Sequence, residues 1–167
     1  FNHVDPTQSL IFGTDKRKGI HVYDLYGKEL SFSELGATNN IDLRVIDENV
    51  HMVISNRSSS TLGYWIFPES SLFKYFSDHP TDAFTEDITH YHLEANMNVY
   101  GLCMGFVNGL PFAALTEEEG PTVQVWNLIS KEVVGEINII VDEEDAPKSG
   151  NEAEGCVFDA VSYTHLT

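Results

Sequence analysis

The chain has 167 residues, of which 42% are hydrophobic, enough for a globular domain with a core of its own. Its formal net charge of −17 argues against nucleic acid as a partner, because so acidic a surface repels a polyanion at long range. No apolar run is long enough to cross a bilayer as a helix, and the chain opens at Phe1 without a secretory leader pattern, so the expectation is a start set by processing or truncation.

In chain order, residues 9–12 read as a strand and 16–19 as a polar loop closed by Gly19. Residues 20–25 form an alternating strand ended by the turn residues Tyr26, Gly27 and Lys28. Residues 29–32 supply a return strand. Within 39–45, Ile41, Leu43 and Val45 fall on one face and Asn40, Asp42 and Arg44 on the other, because side chains of a strand alternate. That sets an amide oxygen and a carboxylate on one side of one strand. Residues 51–55 and 61–67 form the next hairpin, while 84–96 fits strand or loop. Residues 101–106 and 110–115 flank Asn108-Gly109, a strong hairpin turn. Strands follow at 122–128 and 133–141, then an acidic loop over 142–154 that carries Pro147 and Gly150. No long segment has a helical period. The expected fold class is all-β, in short antiparallel pieces.

One unit recurs. Gly13-Thr14-Asp15-Lys16-Arg17-Lys18-Gly19 leads into Ile20-His21-Val22-Tyr23. Ser55-Asn56-Arg57-Ser58-Ser59-Ser60 leads into Thr61-Leu62-Gly63-Tyr64-Trp65, and Leu115-Thr116-Glu117-Glu118-Glu119-Gly120 into Thr122-Val123-Gln124-Val125-Trp126. Each copy is a strand, a polar loop and an alternating strand, and recurrence at tens of residues marks a repeat architecture. In a propeller such loops gather at one end of a central channel. Lys16, Arg57 and Glu118 are therefore candidates for one shared site. A propeller needs at least four blades to close, so three repeats point to an incomplete ring.

Other motifs carry less. His90-Tyr91-His92 puts two imidazoles on one strand face without a third ligand in sight and reads as a solvent-facing strand. Asp142-Glu143-Glu144-Asp145 lacks the ligand spacing of a calcium loop and reads as solvated. Asn56-Arg57-Ser58 fits a glycosylation sequon, a pattern common by chance. Nucleophile-elbow, P-loop and dinucleotide signatures are absent from the sequence. Cys103 and Cys156 sit singly in apolar stretches and read as buried thiols, with a disulfide between them as the open alternative, since pairing needs geometry that spacing does not give.

Gly13-Thr14-Asp15-Lys16 with Gly19, Asn39-Asn40-Ile41-Asp42-Leu43-Arg44, Ser55-Asn56-Arg57-Ser58, Val99-Tyr100-Gly101 and Glu154-Gly155-Cys156 stand in an order and spacing that resemble the β-propeller phytases over residues 4–159. That family comprises calcium-dependent enzymes that hydrolyse inositol hexakisphosphate. The resemblance implies a fragment of about three antiparallel four-stranded blades from a six-bladed parent, occupying residues 1–160, with 161–167 as a non-matching tail. It implies that Lys16, Arg57 and Tyr100 bind substrate phosphates, that Asn40 and Asp42 belong to a calcium shell, and that Glu154 is a calcium-bridging carboxylate beside the attacked phosphate. Calcium is the implied cofactor and phytate the implied partner of a protein that is monomeric when full length and secreted or periplasmic. A divalent cation explains how an acidic chain accepts a highly anionic substrate, because it reverses the local field.

The sequence also departs from the family. The resemblance implies an Asp-Asp-Pro-Ala segment just before the position of Phe1, and Glu117-Glu118-Glu119 stand where it implies a phosphate-binding lysine. The fragment by itself is expected to be inactive or nearly so. Two other classes of function compete: a non-catalytic propeller module that binds phosphate or calcium, and an interaction scaffold without an ion site.

Overall fold

The computed structural model describes residues 2–3, 5–84, 88–139, 153 and 155–158. Among them, eleven strands fall into three antiparallel sheets. Sheet one holds β1 (Leu10–Asp15), β2 (Gly19–Asp24) and β3 (Glu29–Glu34). Sheet two holds β4 (Thr38–Ile46), β5 (Asn49–Asn56), β6 (Thr61–Pro68) and β7 (His90–Glu94). Sheet three holds β8 (Val99–Val107), β9 (Leu110–Glu117), β10 (Thr122–Asn127) and β11 (Glu132–Asn138). Every strand pairs with its sequence neighbour, as in the blades of a propeller, and the three sheets do not close into a ring.

The all-β expectation holds, with one refinement. By the recurring unit, β1 corresponds to β5 and β9, the strands that run into the polar loops. Sheet one therefore has three strands, not four, and no counterpart of β4 and β8 among the described residues. The packing follows this equivalence: β1 lies against β4 as β5 lies against β8, and β4 also contacts β8.

Sheet two is apolar on both faces because it is covered on both. Val50, Met52, Ile54, Trp65 and Phe67 pack with Ile20 and Val22 of sheet one, whereas Val53, Leu62 and Tyr64 pack with Leu102, Met104, Leu115 and Trp126 of sheet three. The continuous apolar run Met52-Val53-Ile54 thus serves two interfaces by alternation. Trp65 is wholly buried, edge-on to Phe84 at 5.3 Å. The Asn108-Gly109 turn has φ of 52° and 76°, the left-handed conformation a tight two-residue hairpin requires.

One short helix joins the strands among the described residues, and one expectation is corrected. A helix, α1 (Leu72–Asp78), follows β6; at seven residues it is too short to display a period, and it forms to bury Phe76, whose ring meets Phe12 at 5.4 Å and Phe67 at 5.5 Å. Cys103 and Cys156 are not free thiols but a disulfide, with Cα atoms 5.4 Å apart across a separation of 53 residues. Each cysteine sits alone in its own stretch, and only the return of the chain over the far face of sheet three brings them together. There Phe158 packs against Gly105, where a Cβ would collide with its ring, and joins Cys103, Ala114 and Val123 in a small third cluster. Within the ambiguous stretch 84–96, His90–Glu94 form β7. The acidic loop expected at 142–154 lies, apart from residue 153, outside the described residues, as do the boundary at 160 and the tail.

Candidate functional site

Three polar loops and two bulged strands converge at one end of the sheets. Lys16 lies in the β1–β2 loop. Asp15 shapes that loop by accepting from the Arg17 amide at 2.8 Å, and Gly19 closes it. A Cβ on Gly19 would overlap the Ser33 carbonyl oxygen, so the close approach of β3 demands glycine there.

Arg57 lies in the β5–β6 loop, and its neighbours fasten it. Asn56 Nδ2 donates to the Leu35 carbonyl at 2.6 Å, the Ser58 amide donates to Asn56 Oδ1 at 3.0 Å, and the Arg57 amide donates to the Ala37 carbonyl at 2.8 Å. The Asn56 side chain is thus consumed in anchoring the loop to the segment that joins sheets one and two, a structural use for the sequon residue.

The strands β4 and β8 each contain a bulge at the same point of the repeat. Register shifts between Thr38 and Ile41 in β4, and between Val99 and Leu102 in β8. A hydroxyl from the neighbouring strand satisfies the freed amide in both: the Asn40 amide donates to Ser55 Oγ at 3.0 Å and the Gly101 amide to Thr116 Oγ1 at 2.8 Å. Such bulges insert an extra residue and re-aim side chains. Here they bring Asn39 beside Asn40, with Asn39 Nδ2 donating to Asn40 Oδ1 at 2.8 Å and to the Tyr100 carbonyl at 3.2 Å. Regular alternation would have sent neighbouring residues to opposite faces, which is why sequence reasoning passed over Asn39. The doubled asparagine was the available signal.

The geometry brings Lys16, Arg57 and Tyr100 together from three sheets. The Lys16 ammonium stands 5.5 Å from the centre of the Tyr100 ring and the Arg57 guanidinium 5.4 Å, so one aromatic ring organises two cations. Glu118, in the β9–β10 loop, pairs with Arg57 Nη2, and its own amide donates to the Asn98 carbonyl at 2.7 Å. Both partners of that pair are about 30% exposed (30% and 29%), so the pair is reachable from solvent. Arg57 Nε is buried and has no hydrogen-bond partner among the described residues. Glu154 lies outside the described residues.

The donor set bears on whether a hard cation fits. Asn39 Oδ1 is buried and has no hydrogen-bond partner among the described residues, and the Asn39 amide orientation is fixed by its two acceptors, so this oxygen faces an unmet demand. Asn40 Oδ1 and the Tyr100 carbonyl, by contrast, already accept from Asn39 Nδ2. Asp42 is more committed: its Oδ1 accepts from the Leu43 amide at 2.8 Å and pairs with Arg44, while Oδ2 accepts from the Met104 amide at 2.8 Å. Among the described residues no three His, Cys, Asp or Glu side chains cluster as metal ligands. The Asn39 oxygen is thus a neutral donor of the kind a hard cation takes, while the Asp42 carboxylate is already engaged.

The histidine strand serves packing. His90 and His92 share a face of β7 beside Trp65, at 6.3 and 5.5 Å between rings. Elsewhere in sheet two, His51 Nδ1 lies 2.6 Å from the Tyr64 hydroxyl, and burial, reinforced by Tyr91, pushes the Tyr64 phenol up to about 12.

A family model described as Phytase matches residues 1–88 of the chain. That span carries the Lys16 loop, the β4 bulge and the Arg57 loop. A search of curated proteins found no match.

Proposed function

The chain belongs to the phytase family, and from that premise we propose that it forms part of a calcium-dependent phosphatase that releases inorganic phosphate from phytate. The observation that carries the reading is the convergence of Lys16 and Arg57 on the Tyr100 ring from three separate sheets. Two cations held 5.5 and 5.4 Å from one ring suit an anion with several phosphoryl oxygens, which Lys meets as a point charge and Arg as a planar fork. The Tyr100 hydroxyl adds a further donor.

Asn39 through its unpaired oxygen, and Asn40, Asp42 and Glu154 by family resemblance, are the residues that would hold calcium. The bound ion supplies positive charge against the phosphoryl oxygens, the chief need of phosphoryl transfer. The chain's own contribution is placement. Lys16 and Arg57 would each meet a phosphoryl group of the substrate, the bulges of β4 and β8 hold Asn39 and Tyr100 in place, and the anchored Arg57 loop keeps its guanidinium from drifting. The disulfide agrees with an oxidising compartment, and supports the reading of a secreted or periplasmic protein.

One observation favours a second reading, a module that binds phosphate or calcium without turnover. Glu118 already occupies the Arg57 guanidinium, an arrangement unhelpful to a phosphate site. Phosphate release from phytate by the full-length protein separates the two. The enzyme reading expects release with calcium, its loss in excess chelator, and a raised KM in Lys16→Ala and Arg57→Ala. Calcium-stabilised binding of phytate with no release would favour the module, and release unaffected by chelator would overturn the calcium dependence.

A further inference from the structure

We propose that Glu118 is a specificity-determining residue: an internal carboxylate that holds Arg57 in the ligand-free protein and tunes the site toward anions with one phosphoryl group rather than two linked ones. The inference deepens the phosphate-binding reading above and rests on it.

The two cations beside Tyr100 are not equivalent. Among the described residues Lys16 forms no ion pair with a carboxylate, and it lies exposed in its loop. Arg57 is paired through Nη2 with Glu118 and is about two-thirds buried, with 30% of its side chain accessible. A ligand with a single phosphoryl group can be met by Lys16 and the Tyr100 hydroxyl and leave the Arg57–Glu118 pair intact. A ligand with two linked phosphoryl groups that reaches both cations beside the ring engages Arg57 as well. It must then displace Glu118 from the guanidinium and tolerate the freed carboxylate beside its second phosphate. Both effects penalise the larger anion, because charge-assisted pairing is lost and like charges are brought together.

The pair is also placed to be broken without damage to the fold. The Glu118 backbone is tied to Asn98 through its amide, independently of the side chain, and Arg57 is tied to Ala37 through its own amide. Removing either charge therefore alters the site while the loops keep their anchors.

The test uses the full-length protein in calcium-free buffer with chelator, with inorganic phosphate and inorganic pyrophosphate as probes in isothermal titration. Glu118→Gln should bind pyrophosphate about five- to tenfold more tightly than wild type, the scale of one partly exposed charge pair, while phosphate affinity changes less than about threefold. Adding Arg57→Gln to Glu118→Gln should abolish the gain. Unaltered melting temperatures identify the variants as folded, and Glu118→Asp, which keeps the charge, should behave like wild type. An equal gain for both anions, or none, would overturn the inference while leaving the phosphate-binding reading intact. Failure of both probes to bind wild type and every variant would overturn that reading and the inference together. A selective pyrophosphate gain with no phytate turnover in any variant would keep the inference and remove the enzyme.

Discussion

Cys156→Ser should destabilise the folded chain by about 4 kcal/mol. The disulfide to Cys103 closes a loop of 53 residues, and cross-linking a chain over that length removes roughly 14 cal/mol/K of entropy from the unfolded ensemble, about 4 kcal/mol at room temperature. The choice of cysteine matters. Cys103 is buried at 4% exposure in the cluster with Ala114 and Val123, so serine there would add a buried hydroxyl to the lost link. Cys156 is exposed, and its replacement leaves Cys103 as a small apolar thiol in place. For a domain of this length, about 4 kcal/mol corresponds to a fall of roughly 8–16 °C in Tm. Thermal and urea unfolding of wild type with and without reductant, set beside Cys156→Ser, gives the measurement. Reductant should lower the wild-type midpoint to that of the variant and leave the variant unmoved. A wild-type midpoint insensitive to reductant, with a variant equally stable, would refute the account, for it would mean that the segment around Phe158 is held by packing or that the link is absent.

Two further outcomes follow from particular residues. Gly19→Ala should cost about 2 kcal/mol or more and lower phosphate affinity through the Lys16 loop, since its Cβ would overlap the Ser33 carbonyl; denaturant titration and anion binding check both parts, and a neutral substitution would sink the close-approach argument. His51 has its basicity lowered by burial, opposed by the Asp47 carboxylate, and it faces Tyr64 and the cross-strand Arg44. The unfolded chain thus binds a proton at His51 more readily than the folded one, and stability falls as pH drops through the ordinary histidine value near 6.5. The difference in unfolding free energy between wild type and His51→Gln should narrow from pH 7.5 to pH 5.5, and a constant difference would count against this sign.

The sequence by itself determined what is local. Alternation along 41–45 and 122–128, the Asn108-Gly109 turn and the thrice-repeated strand–loop–strand unit specified the strands, their faces and the family of fold, because these depend on the backbone geometry of a few consecutive residues. The family pattern marked Lys16, Arg57 and Tyr100 together, although each taken alone is an ordinary polar residue. The tertiary structure decided the rest. The bulges that bring Asn39 beside Asn40 depend on register against β5, and the Arg57–Glu118 pair joins loops 61 residues apart. Cys103 finds Cys156 only when the chain returns across sheet three, and α1 exists because Phe76 has an aromatic core to enter. Such features arise from contacts between distant segments, whose geometry no short stretch of sequence encodes.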